Sequence, residues 1–136
     1  MKINHVADGF AVAPQIQPED AQRIADAGYR TIICNRPDGE EPGQPPLDAI
    51  RAAAEGAGLA FHHIPVGGGE FPQSAIDAFA KLRTEAEGGV LAYCRTGTRS
   101  VTLDALANIE GLGPDERIAR AAAAGYDLSA LRCRLR

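Results

Sequence analysis

Cysteine is scarce in this chain: there are three among 136 residues, an odd number at wide spacing. That excludes a disulfide framework and makes a reducing cytoplasm the expected compartment, one in which a free thiol stays available for chemistry. Long apolar runs are missing as well. No segment approaches the roughly 20 residues that span a bilayer, and Met1-Lys2-Ile3-Asn4-His5-Val6-Ala7-Asp8 breaks its apolar residues too soon for a signal peptide. Positive charge is not in excess, the net charge being −4 without a polybasic run, so neither nucleic acid nor a membrane surface is an expected partner. No internal repeat and no linker-like stretch interrupts the chain. With 45% hydrophobic and 24% charged residues, residues 1–136 are expected to form one ordinary globular domain.

What is present is an alternation of strand and helix signals. Apolar or β-branched stretches at 10–13, 30–34, 59–66 and 90–93 read as strands. Between them, amphipathic patterns predict helices from Pro18 to Gly28 and over 47–57 and 73–87, with 98–109, 115–124 and 128–131 following. Strands separated by helices imply an α/β fold, a parallel sheet joined by right-handed crossovers and flanked by helices. Ligands bind such sheets beyond the carboxyl ends of the strands. Three loops are expected to meet there, at 35–46, 67–72 and 94–99.

The third loop carries the chemistry. Tyr93-Cys94-Arg95-Thr96-Gly97-Thr98-Arg99-Ser100 sets a cysteine at the end of the strand over 90–93 and opens a helix directly behind it. Such a junction turns successive backbone N–H groups toward one point, and the helix dipole adds positive potential. A thiol placed there, between two arginines, is stabilised as the thiolate nucleophile. Cys94 and Arg99 are therefore the candidate catalytic residues, and Arg95, Thr96, Gly97, Thr98 and Ser100 the candidate anion-binding loop. Thr98 or Ser100 is the candidate hydrogen-bond donor to the thiolate. Arg36, Asp38 and Glu70, on the other two loops, are candidates for a substrate-binding or acid role. Cys34 ends a strand expected beside that of Cys94; it reads as a small buried hydrophobe, with a resolving thiol as the alternative. His62 and His63 are adjacent on a strand and point to opposite faces, so no metal site is expected, and the chemistry calls for no cofactor.

Two enzyme groups use a loop of this composition. The loop resembles that of cysteine-dependent phosphatases, His-Cys-x-x-Gly-x-x-Arg, but it is one residue shorter, as in the rhodanese-type sulfurtransferases. Gly28 to Glu41 with Asn35-Arg36-Pro37-Asp38-Gly39-Glu40, the stretch Gly58 to Val66, and Leu91 to Ser100 together resemble a bacterial family. That family is the phosphatase-like domain of beta-lactamase-hydrolase-like proteins, also described as sulfurtransferases. The resemblance implies a dual-specificity-phosphatase-like fold, with a rhodanese-like fold as the alternative. It further implies partnership with a metallo-hydrolase of the persulfide-dioxygenase kind, whose His-x-His-x-Asp-His signature this chain lacks.

Three departures from the phosphatase pattern set the expected reaction. The loop is short, Tyr93 stands where a histidine precedes the phosphatase cysteine, and the loop after Ile64-Pro65 offers Glu70 rather than an aspartate as general acid. A missing general acid typically costs about 10²–10⁴-fold in rate, whereas sulfite leaves readily without one. The expectation is therefore rhodanese-type sulfur transfer through a Cys94 persulfide, with thiosulfate or a persulfide as donor. The alternatives are hydrolysis of a phosphate ester through a Cys94 phosphoenzyme and a non-catalytic oxyanion or redox sensor.

Overall fold

The computed structural model describes residues 1–67 and 69–136. Five strands form one sheet: β1 (Asn4–Ala7), β2 (Phe10–Ala13), β3 (Tyr29–Cys34), β4 (Ala60–His63) and β5 (Gly89–Tyr93). Their spatial order is β1-β2-β5-β3-β4. β2, β5, β3 and β4 run parallel, and β1 alone is antiparallel, joined to β2 through a tight turn. The sheet is thus mostly parallel, with an antiparallel edge strand that the sequence pattern does not announce.

Side chains alternate between the two faces of the sheet. Phe10, Val12, Ile33, Val90 and Ala92 enter one core, against α3 (Gln73–Glu85) and α4 (Thr98–Ala107). Ala11, Ala13, Ile32, Cys34, Leu91 and Tyr93 enter the other, where Ile24 of α1 (Ala21–Asp26) and Ile50 and Ala54 of α2 (Leu47–Gly56) meet them. The i, i+4 pairs Ile50/Ala54 and Ala75/Phe79 give α2 and α3 their buried stripes. Phe79 meets Phe10 edge-on, ring centroids 5.9 Å apart. A last helix, α5 (Pro114–Ala123), and a 3₁₀ segment (Ser129–Leu135) close the chain and bury Ala121, Leu128 and Leu135.

The strand expected over 59–66 ends at His63. Pro65 has no N–H for the ladder, and Ile64 and Val66 continue toward the site as isolated bonds to the carbonyls of Cys34 and Asn35. α4 is buried on every side from Ser100 to Ala105. Its polar members need internal partners there and have them: Ser100 donates to Asn35 and Thr102 to the Thr98 carbonyl. Asp104 pairs with Arg83 at 2.9 Å. No helix of the described residues is long and apolar enough to cross a membrane.

Candidate active site

The carboxyl ends of the parallel strands converge as expected, with central β5 delivering Cys94. The residue is fully buried, and the Gly97 amide donates to its sulfur at 3.1 Å. Gly97 makes this possible with φ +97, a left-handed conformation that favours glycine, and it caps α4 at the same time. A β-carbon added to Gly97 would lie 2.2 Å from the hydroxyl oxygen of Tyr126. Tyr126 lies against the loop, donating its hydroxyl to the Thr96 carbonyl and accepting from Asn4. Nothing local in the sequence marks Tyr126, which follows α5 and returns to the loop only through the fold.

Arg99, in the first turn of α4, faces the loop over 35–46. Its Nη1 donates to the Val66 carbonyl at 2.8 Å and to Glu40 Oε2 at 2.9 Å, and its Nη2 donates to Glu40 Oε1 at 2.8 Å. This two-pronged geometry is the strongest form of a carboxylate–guanidinium contact. Arg99 holds Glu40 far below the usual carboxylate range, at about 2, with Arg36 adding to the effect. Glu40 in turn, together with the nearby Cys94 sulfur, raises the pKa of Arg99.

Arg36 lies behind this pair and is buried. Its Nε donates to Glu40 Oε1 at 2.9 Å and its Nη1 to Gln15 at 3.0 Å. It thus buttresses Glu40 rather than opening toward a ligand. Asp38 accepts the first amide of α2, that of Leu47. Glu70 is exposed and makes no ion pair among the described residues. The structure therefore brings together Cys94, the loop from Arg95 to Ser100 and Arg36, while Asp38 is taken up at the start of α2 and Glu70 stands exposed on the loop after Val66. Of the two hydroxyls expected near the thiolate, Ser100 donates instead to Asn35 at 2.8 Å, while Thr98 is exposed and accepts from Thr96. Gln15 and Tyr126 are the site members no motif supplies, whereas Asn35 and Glu40 stand in the Asn35-to-Glu40 motif without their partners Ser100 and Arg99 being marked there. Tyr93 points to the opposite core, where burial and then Cys34 push its phenol pKa up. Burial also raises the pKa of Cys34, whose thiol donates to the Arg36 carbonyl. His63 bonds the same carbonyl.

Residues 2–111 match the family profile of the beta-lactamase hydrolase-like protein, phosphatase-like domain. The chain belongs to that family. A beta-lactamase hydrolase-like protein of Xylella fastidiosa (strain Temecula1) is 42% identical over 130 residues, covering 94% of this chain and 30% of its own length. This phosphatase-like domain therefore spans under a third of the curated relatives it matches. A solved structure from Neisseria meningitidis, provisionally described as a phosphatase, is 43% identical with TM-score 0.88, covering 99% of this chain and 96% of that one. The kinase-associated phosphatase, at 14% identity and TM-score 0.72 over 90% of this chain and 80% of its own, shares the fold. The phosphatase-like domain thus has the dual-specificity and tyrosine phosphatase architecture. The rhodanese alternative draws no support from these similarities.

Proposed function

We propose that this chain is a cysteine-dependent phosphatase, hydrolysing phosphate monoesters through a phosphocysteine at Cys94. One observation carries the reading. A buried cysteine, at the end of the central strand of a phosphatase-type fold, already accepts a loop amide, with a guanidinium one turn behind it. Sulfur transfer, which the loop length and the lack of an aspartate favoured, gives way because family and fold both support the phosphatase reading.

Cys94 sulfur attacks phosphorus as the bond to the ester oxygen breaks, and the leaving oxygen departs with the electron pair and takes up a proton. Water then attacks the phosphocysteine, releasing inorganic phosphate and the thiolate. Amides of the loop and Arg99 stabilise the equatorial oxygens. Arg99 binds the phosphate while Glu40 and the Val66 carbonyl fix its orientation, which makes Glu40 and Arg36 positioning residues. Glu40, held at about 2, stays ionised at neutral pH and carries no proton to give. Asp38 is committed to α2, and exposed Glu70 makes no ion pair among the described residues that would fix it over the loop. The enzyme is therefore suited to leaving groups that need little protonation, aryl phosphates above alkyl ones.

Turnover of p-nitrophenyl phosphate and of an alkyl phosphate, with Cys94→Ser as control, tests this. Aryl hydrolysis should exceed alkyl hydrolysis by about 10²-fold or more, the lower range of a general acid's contribution, and should vanish in the variant. Cys94-dependent transfer of sulfur from thiosulfate to cyanide, without phosphate release, would overturn the reading.

A further inference from the structure

A groove of about 300 Å³ runs alongside the cysteine loop. Arg95 and Thr96 of the loop line it, as do Tyr126, Pro14, Asn4 and Lys2. Its walls are unlike one another. Pro14 and the Tyr126 ring give a flat, largely apolar flank, whereas Lys2 and Arg95 bring two cations to a protein whose net charge is −4. Lys2 is exposed and has no carboxylate within 4 Å among the described residues. Arg95 pairs with Glu41 at 2.7 Å, but both side chains are largely open to solvent, at 61% and 46% exposed. Such a surface pair is worth little and exchanges readily for another anion.

The catalytic loop accounts for one anion only. Two further cations beside a planar flank, continuous with that loop, fit a second negative charge carried on the body of the same small molecule. We propose that the groove is a specificity subsite for small aryl phosphates bearing a second anionic group, a carboxylate or phosphate. The ring lies along Tyr126 and Pro14, and the second anion lies between Lys2 and Arg95, displacing Glu41. Tyr126 thereby serves twice, holding the loop through the Thr96 carbonyl and forming the flank of the groove. The assignment rests on the phosphatase reading for the chemistry at Cys94, but not for the binding that tests it.

Calorimetric titration of the Cys94→Ser protein measures binding apart from turnover. Phenyl phosphate is compared with 3- and 4-carboxyphenyl phosphate and 1,4-phenylene bisphosphate. The second anion should tighten binding about fivefold to tenfold, as a charge-assisted contact at a partly exposed site does, and the gain should shrink at high salt. Lys2→Gln should bring the ratio of second-anion ligand to phenyl phosphate back toward one. Glu41→Gln, which frees Arg95, should raise that ratio. Equal affinity across the series, no binding at all, or a preference indifferent to both substitutions would overturn the subsite. A selective subsite in a protein that hydrolyses no phosphate ester would instead overturn the phosphatase reading and leave the groove standing.

Discussion

At the scale of single residues, the site depends on a carboxylate held between two cations and a glycine held under a tyrosine. Glu40 ionises at about 2 in the folded protein against 4.5 ordinarily. A depressed carboxylate contributes stability that is fully present above its unfolded pKa and is lost as pH falls through its folded value. The window is therefore from about 4.5 down to about 2. Thermal midpoints measured across that range should fall more steeply for the native protein than for Glu40→Gln, and parallel profiles would show that the pairing contributes nothing. At Gly97, alanine would meet both the positive φ and the Tyr126 hydroxyl. Gly97→Ala should cost at least about 1–3 kcal/mol, the strain of a non-glycine residue held in that region, and should lower kcat for p-nitrophenyl phosphate at least tenfold. A variant with native kcat would mean that the loop does not depend on that contact. Cys94, its loop and Arg99 were legible beforehand because they sit within a few residues of one another. The place of Tyr126 and the pairing of Glu40, itself within the Asn35-to-Glu40 motif, are not legible, since Glu40 meets Arg99 across 59 positions and Tyr126 meets Thr96 across 30. No local pattern encodes a meeting of that span.

At the scale of elements, the helices hold the loop by ties that are themselves buried. Arg83 of α3 pairs with Asp104 of α4, both side chains under 10% exposed, and its guanidinium lies 4.1 Å from the centre of the Phe10 ring. Removing one member of a buried pair typically costs about 3–5 kcal/mol where the other charge is stranded, but Asp104 keeps a longer contact to Arg120 at 3.7 Å that offsets part of it. Arg83→Ala should therefore lower the free energy of chemical unfolding by about 2–4 kcal/mol, and a loss under about 1 kcal/mol would mean that Arg120 or water already relieves Asp104. The same scale shows where sequence reading succeeds. β2, β3 and β5 are fully buried at nearly every position and read as continuous apolar or β-branched runs, the signature of strands covered on both faces. β1 is a half-exposed edge with an irregular register and carries no such run. β4 ends at His63, short of the strand the sequence predicts to 66, because apolar content continues past His63 whereas hydrogen bonding stops being regular near Pro65.

For the whole molecule, the segment beyond the family match is part of both the core and the site. Residues 112–136 supply Ala121, Leu128 and Leu135 to the core, and Arg117 ties the Ala105 carbonyl to that of Leu135. They also supply Tyr126. Fully burying a leucine contributes about 1.5–3 kcal/mol, so losing two of them together with α5 removes a large share of a typical domain's stability of about 5–15 kcal/mol. A chain ending at residue 111 should lose its cooperative thermal transition by circular dichroism; a native-like melt would show this segment to be dispensable. The strand order has one more consequence. β5, at the centre of the sheet, comes last in sequence among the sheet's described strands, and β2 and β3 touch it but not each other. While residues 1–88 emerge from the ribosome, only two of the sheet's described strand pairs can form, β1 with β2 and β3 with β4. At about 5–20 residues per second, the nascent chain spends several seconds with the flanks of the gap unjoined. The strand that fills it carries Cys94 at its tip, so Cys94 takes its place only when the two halves of the sheet are joined.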